Sequence, residues 1–144
     1  MAEVLTLQPT PGVLPTARGD HLSVTSSTQA LVWPDVWPPA DVIVFAPATF
    51  NSVNSWALGL THHFVVGVAA EGIGKGIPIV AMPCVNAAYV QHHQFEESVA
   101  KLRAMGVTVL YGDGGFVPNR PGTGKPADYP WHRALDAAAA LAGA

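Results

Sequence analysis

The sequence predicts an α/β fold, a parallel sheet with helices on its faces. Three observations predict it. Short uninterrupted apolar runs recur at Val42-Ile43-Val44-Phe45-Ala46, Ile77-Pro78-Ile79-Val80-Ala81-Met82 and Val107-Thr108-Val109-Leu110-Tyr111, and such runs mark strands buried on both faces. Stretches of helical length separate them, so the order strand, helix, strand, helix, strand demands βαβ units with right-handed crossovers. Finally, the 14 glycines and 13 prolines punctuate the chain instead of forming one linker. With no internal repeat, 144 residues read as a single domain spanning 1–144.

Residues 1–41 form an irregular N-terminal part, interrupted by Pro9, Pro11, Pro15, Pro34, Pro38 and Pro39. Short extended pieces fit at 4–7 and 21–26. The stretch Trp33-Pro34-Asp35-Val36-Trp37-Pro38-Pro39 reads as an extended connection, because a residue before proline avoids the helical region. The α/β core occupies 42–111. Pro47-Ala48-Thr49 ends the first strand and a helix is predicted over 50–60. A second helical piece over 62–71 is apolar all round, hence buried or intersubunit, and Gly72, Gly74 and Gly76 stop it. Pro83 closes the strand over 77–82. A long amphipathic helix is predicted over 87–105, with Val90, Phe95, Val99 and Leu102 on one stripe and Glu96, Glu97, Lys101 and Arg103 mostly opposite. Gly106 stands where a helix-ending glycine belongs. Residues 112–130 are a Gly/Pro loop, and an alanine-rich helix covers 130–142.

Charge excludes several functions. A net charge of −3 gives no basic field to draw nucleic acid. The apolar stretch over 64–70 is cut by Glu71, far short of the roughly 18–20 residues that a membrane span needs. Met1-Ala2-Glu3-Val4 opens with no basic segment before an apolar run, so no secretory signal is visible. Cys84, the single cysteine, cannot form an internal disulfide, and the cytoplasm is the default compartment. Charged residues make up only 12%, against about 25% in typical domains, and between Asp41 and Glu96 only Glu71 and Lys75 carry charge. Either partner subunits or a cofactor cover that half, or its surface is neutral and wet. The presence there of Trp56, Phe64, Tyr89 and Phe95 favours cover.

Ligands of open α/β sheets sit at the carboxyl ends of the strands, which directs attention to two turns. After the first strand, Pro47-Ala48-Thr49-Phe50-Asn51-Ser52-Val53-Asn54 offers small polar side chains at a helix start, fit either for an anion such as phosphate or for a plain Thr49 cap. After the second, Pro83-Cys84-Val85-Asn86 presents an amide that can meet a ligand amide or carboxylate, or cap a helix. Gly72-Ile73-Gly74-Lys75-Gly76 fails as a phosphate loop. Such a loop needs glycine at Ala69 and Ser or Thr at Gly76, and it comes after a strand. Gly122-Thr123-Gly124-Lys125-Pro126 fails likewise. Neither His62-His63 nor His92-His93 chelates by itself, since helical neighbours point about 100° apart, so no metal site is expected. Cys84 reads as a small buried residue more readily than as a reactive one, and no Gly-x-Ser-x-Gly elbow of a hydrolase is present.

Together these residues resemble a family. Pro47-Ala48-Thr49-Phe50-Asn51-Ser52 after its apolar strand is similar to the Pro-Ala-Ser-Ala-Asn-Thr segment of the flavoprotein family, that of the homo-oligomeric flavin-containing cysteine decarboxylases such as phosphopantothenoylcysteine decarboxylase. Pro83-Cys84-Val85-Asn86-Ala87-Ala88-Tyr89-Val90 resembles its Pro-x-Met-Asn-x-x-Met-Trp segment, and the match runs over residues 34–118. The resemblance implies a flavodoxin-like (Rossmann-like) doubly wound sheet with helices on both faces. It also implies bound FMN and self-association as a homotrimer or higher multiple, with the flavin at subunit contacts. Ala48, Thr49, Asn51 and Ser52 become the cofactor-side residues, and Asn86 the residue that holds substrate.

The departures are specific. Trp33 stands where the decarboxylases carry a histidine, and indole cannot transfer a proton as imidazole does. Residues 112–126 lack the cysteine of the reducing members. Val85 and Val90 replace methionine and tryptophan. No opening strand–turn–helix unit is recognisable in 1–41, which leaves a chain truncated at its start or a divergent member with weakened FMN binding. Two functions stay open. One is an FMN-binding, decarboxylase-like carbon–carbon lyase or oxidoreductase acting on a small thiol- or carboxylate-containing substrate, the cofactor doing the hard chemistry. The other is a non-catalytic oligomerisation or regulatory subunit of the same fold.

Overall fold

The computed structural model describes residues 4–6 and 40–143. Among these residues the sheet has four parallel strands in the order β1 (Val4–Thr6), β2 (Val42–Ala48), β3 (Ile79–Pro83) and β4 (Thr108–Val109). Val4 pairs with Val42, Ile43 with Ile79 and Val80 with Thr108. The extended piece expected at 4–7 is therefore present as a strand at the edge beside β2. The chain between β1 and Ala40, including Trp33 and the expected piece at 21–26, lies outside the described residues.

Alternation along the two central strands builds a core on each face. Ile43, Phe45, Ile79 and Ala81 face one side, where α1 (Phe50–Ala57), α2 (Phe64–Gly74) and α3 (His93–Ala104) supply Val53, Trp56, Val66, Phe95 and Leu102. Val42, Val44, Val80 and Met82 face the other, under α4 (Trp131–Ala142) with Ala134 and Ala138, and under Phe116 and Tyr129 of the connecting loop. Helices on both faces of a parallel sheet are what the apolar runs require, since neither face of such a strand tolerates water. Each fully buried Ile or Phe contributes about 1.5–3 kcal/mol.

Several element bounds differ from the sequence expectation. The strand over 42–46 runs on through Pro47 to Ala48, that over 77–82 spans Ile79–Pro83 and so includes the proline expected to close it, and α1 ends at Ala57 rather than at 60. The helix over 62–71 starts later, at Phe64, and runs through Gly72 to Gly74. Gly72 does not break it because it is a packing residue: a Cβ there would lie 2.6 Å from Ile43 Cδ1. The helix over 87–105 is not continuous. A 3₁₀ turn, Tyr89–Gln91, precedes α3, and His92 between them is extended at φ −79°, ψ 118°. Two side-chain caps cause the break. Asn86 Oδ1 accepts from the Ala88 and Tyr89 N–H groups at 3.0 and 3.1 Å, and His92 Nδ1 accepts from the Gln94 N–H at 3.2 Å. The third strand shortens to Thr108–Val109, and Tyr111 instead bridges Phe116. Gly106, at φ +89°, ends α3 as expected.

Trp56 and Phe95 are 2% and 1% exposed within the chain, so the core accounts for them and they give no support to a covered surface. Leu58, Leu60 and Tyr89, in the same weakly charged segment, remain exposed.

Candidate functional site

At the carboxyl ends of β2 and β3 the chain turns twice, and the two turns meet. The first turn starts α1. Thr49 is extended at φ −77°, ψ 164°, and its Oγ1 accepts from the Ser52 N–H at 3.2 Å. The two hydroxyls also lie 3.0 Å apart. This is a helix cap. Asn51, one residue along from Phe50, is exposed, and its side chain makes no hydrogen bond among the described residues. The second turn is tied to the first by the Cys84 N–H, which donates to the Ala48 carbonyl at 2.8 Å.

Thr49, Phe50, Asn51, Cys84, Val85, Asn86 and Tyr89 line a cavity of about 200 Å³ between the turns. A second cavity of about 420 Å³ adjoins it, lined by Phe50, Asn86, Ala88, Tyr89, His92 and Pro121. Phe50, Asn86 and Tyr89 belong to both. The structure thus brings Thr49, Asn51 and Asn86 together. Ala48 and Ser52 do not line either cavity. Ala48 is fully buried in β2 with its carbonyl committed to Cys84, and Ser52 stands behind Thr49.

Rings dominate the wall. Phe50 and Tyr89 have centroids 4.7 Å apart at 31°. Behind them Phe95 stacks on Phe50 at 6.0 Å and 15° and meets Tyr111 edge-on at 5.2 Å. The far rim comes from the loop: Asn119 bridges Asn86, and its carbonyl accepts from the Ala87 N–H at 2.8 Å, which sets Pro121 beside the cavity.

The lining carries no acidic or basic side chain other than the imidazole of His92. An anionic group here would be held by amide, hydroxyl and backbone N–H donors rather than by ion pairs. Cys84, read from the sequence as a small buried residue, is exposed at the turn. Partial desolvation still pushes its thiol above its ordinary value, so at neutral pH the side chain facing the cavity is a thiol rather than a thiolate. Burial, and then the neighbouring Cys84, hold the Tyr129 phenol far above its ordinary value. Its hydroxyl donates to the Met82 carbonyl at 2.5 Å, anchoring the end of the loop under β3.

Sequence reasoning missed Phe50, Tyr89, His92 and Pro121 as lining residues. Phe50 and Tyr89 carried a signal, since both are large aromatic side chains inside the two motif segments, at positions where the family pattern has alanine and methionine. His92 and Pro121 carried none. The glycine-rich segment over 72–76 is the end of α2, where Lys75 pairs with Glu71 at 3.2 Å and Gly76 takes φ +71°. Among the described residues no group of three or more His, Cys, Asp or Glu is placed to hold a metal ion, and no helix is long and apolar enough to cross a membrane.

Comparison with known proteins agrees with this architecture. The profile of the Flavoprotein family matches residues 19–137. Among solved structures, the FMN-dependent cysteine decarboxylase SpaF superposes with a TM-score of 0.61 at 19% identity, covering 100% of this chain and 98% of its own. The FMN-dependent cysteine decarboxylase TvaF from thioviridamide biosynthesis gives 0.51 at 22% identity, over 73% of this chain and 52% of its own, so this chain spans about half of that protein. A dodecameric FMN-dependent UbiX-like decarboxylase from Escherichia coli O157:H7 gives 0.52 at 15% identity, over 83% and 60%. At these identities the likeness is one of fold. No curated protein sequence matches the chain significantly.

Proposed function

Since the chain belongs to the Flavoprotein family, we propose that it binds FMN at the paired turns and acts on a small thiol- or carboxylate-containing substrate. The observation that carries this reading is the shared cavity. Thr49 and Asn51 from the end of β2 and Asn86 from the end of β3 line one space, at the sheet end where α/β folds hold their ligands.

The residues present fit a flavin. The wall offers ring faces in Phe50 and Tyr89 for a flat heterocycle. The Asn51 amide is uncommitted, and the open end of α1 presents backbone N–H groups. Asn86 contributes Nδ2, because its Oδ1 is already taken by two backbone donors. When bound, FMN supplies an electron sink for the reacting carbon or sulfur. The protein's part would be placement: Asn51 would hold the flavin, Asn86 would orient the substrate, and the apolar rings would exclude water. The weakly charged surface with exposed Leu58 and Leu60 supports assembly into trimers or higher multiples, with the cytoplasm as the compartment.

A second reading is favoured by one observation. Trp33 replaces the decarboxylases' proton-transferring histidine, which fits a non-catalytic oligomerisation or regulatory subunit that keeps the fold. Reconstitution separates the two. The first reading expects yellow protein, or colourless protein that takes up FMN, and Asn51→Ala then lowers occupancy several-fold without unfolding the chain. Protein that never takes up FMN overturns the first reading and leaves the second. Occupancy unchanged in Asn51→Ala overturns the assigned pocket.

A further inference from the structure

We propose that His92 is a proton-operated latch on the wall of the larger cavity. Neutral, its imidazole caps α3 and fixes the wall; protonated, it releases both. The latch is a property of the bare chain and stands whether or not FMN binds at the paired turns.

His92 is the hinge between two turns. Its N–H donates to the Tyr89 carbonyl at 3.1 Å and closes the 3₁₀ turn, while its carbonyl accepts from the Phe95 N–H at 2.9 Å and opens α3. The residue itself is extended at φ −79°, ψ 118°, so the chain changes direction there. The side chain holds that direction, with Nδ1 accepting from the Gln94 N–H at 3.2 Å. Nothing else on the first turn can take its place. A capping box needs Glu or Gln at the third helical residue, and that residue is Phe95. The Gln94 side-chain amide is committed to the Ser98 hydroxyl at 3.1 Å. The same His92 ring stands edge-on to Phe50, with centroids 6.0 Å apart at 75°, and lines the larger cavity beside Tyr89. Cap and wall therefore rest on one imidazole.

Only one protonation state can make that cap. An imidazole that accepts at Nδ1 carries its single proton on Nε2, whereas an imidazolium has N–H at both nitrogens and accepts nothing. A proton on Nδ1 faces the Gln94 N–H donor against donor, and it puts positive charge at the positive end of the α3 dipole. The surroundings do not hold the imidazolium in place. α1 presents Phe50, the 3₁₀ turn presents the uncharged Tyr89 phenol, and the loop presents Pro121 across the cavity. On its own helix the His93 ring lies 5.5 Å away and adds like charge in acid. Glu96 stands in the first turn, yet among the described residues no carboxylate pairs with His92. His92 is exposed, so the proton arrives directly from solvent. The latch is set above the range in which imidazoles ionise, about pH 5–8, and released below it.

The test is nuclear magnetic resonance on the full chain without added ligand, from about pH 8 to about pH 5. Long-range proton–nitrogen spectra of the His92 ring are expected to show the Nε2–H tautomer at the upper end. Protection of the Gln94 amide, corrected for the intrinsic pH dependence of exchange, is expected to fall about fivefold or more on acidification. The Tyr89 ring resonances are expected to shift with the same midpoint. His92→Asn keeps an acceptor that does not ionise, and its Gln94 protection is expected to stay level across the range. His93→Asn is expected to behave as wild type. An Nδ1–H tautomer at about pH 8, Gln94 protection unmoved by acid, or an equal fall in His92→Asn overturns the latch. So does a fall that disappears in His93→Asn, which would make the neighbouring ring the sensor, or one that leaves Tyr89 unmoved.

Discussion

The two strand-end turns solve the same local problem with different side chains. At the end of β2 a hydroxyl starts the helix: Thr49 Oγ1 takes the Ser52 N–H, and Asn51 beside it is left free. At the end of β3 a single asparagine does both jobs. Asn86 Oδ1 takes two N–H groups and Nδ2 remains for the cavity. Each turn commits one oxygen to closing its own backbone and leaves one amide at the cavity. In the proposed site, capping and binding are therefore separable at the first turn and fused at the second.

The largest effect is expected at the ring that backs the cavity wall. Phe95 supports Phe50 and contacts Tyr111 from inside the core. Phe95→Ala is expected to cost about 3–5 kcal/mol in chemical denaturation, and a loss below about 1 kcal/mol would show that the wall does not rest on this ring.

Next is the anchor of the loop that completes the second turn. Tyr129→Phe leaves the buried Met82 carbonyl without its donor and is expected to cost about 1–3 kcal/mol. The wild-type phenol, raised by burial and by Cys84, keeps its proton in the folded chain at pH values where the unfolded chain releases it. Its contribution is complete below about pH 10, the unfolded value, and falls as pH rises beyond that. Denaturation of wild type and Tyr129→Phe across alkaline pH is expected to show the smaller fall in the variant. Parallel curves would show that the phenol does not set the alkaline limit of stability.

The smallest stability effects sharpen the comparison most. Thr49→Ala and Asn86→Ala each remove a cap and are expected to cost about 1 kcal/mol, whereas Asn51→Ala, exposed and uncommitted, stays within about 0.5 kcal/mol. The two asparagines thus separate in stability while both impair ligand binding. If Asn51→Ala destabilised as much as Thr49→Ala, the division of labour at the first turn would be wrong.

The sheet was legible in the sequence because strands buried on both faces leave an unbroken apolar signal, as 42–46 and 77–82 do. The end of α3 was legible because an αL position favours glycine, and Gly106 supplies it. The features that were not legible depended on single hydrogen bonds or on tertiary contacts. Apolar periodicity runs smoothly through 87–105 and hides the break; capping was one of the two readings of Asn86, but the second cap at His92 was not legible, since histidine is no common helix cap. Gly72 read as a breaker because its local cost is visible and its packing against Ile43 is not. The candidate site was half legible: Thr49, Asn51 and Asn86 converge as expected, Ala48 and Ser52 stand behind, and Pro121 arrives only through the Asn86–Asn119 bridge.

Where FMN docks decides most directly between a working cofactor site and a bare scaffold. Amide-resonance mapping of the full chain during FMN titration is expected to move Thr49–Ser52 and Cys84–Tyr89 together, with one affinity, and to leave α4 still. Shifts confined to a single turn, or gathered elsewhere on the molecule, would contradict a cofactor held by the paired turns.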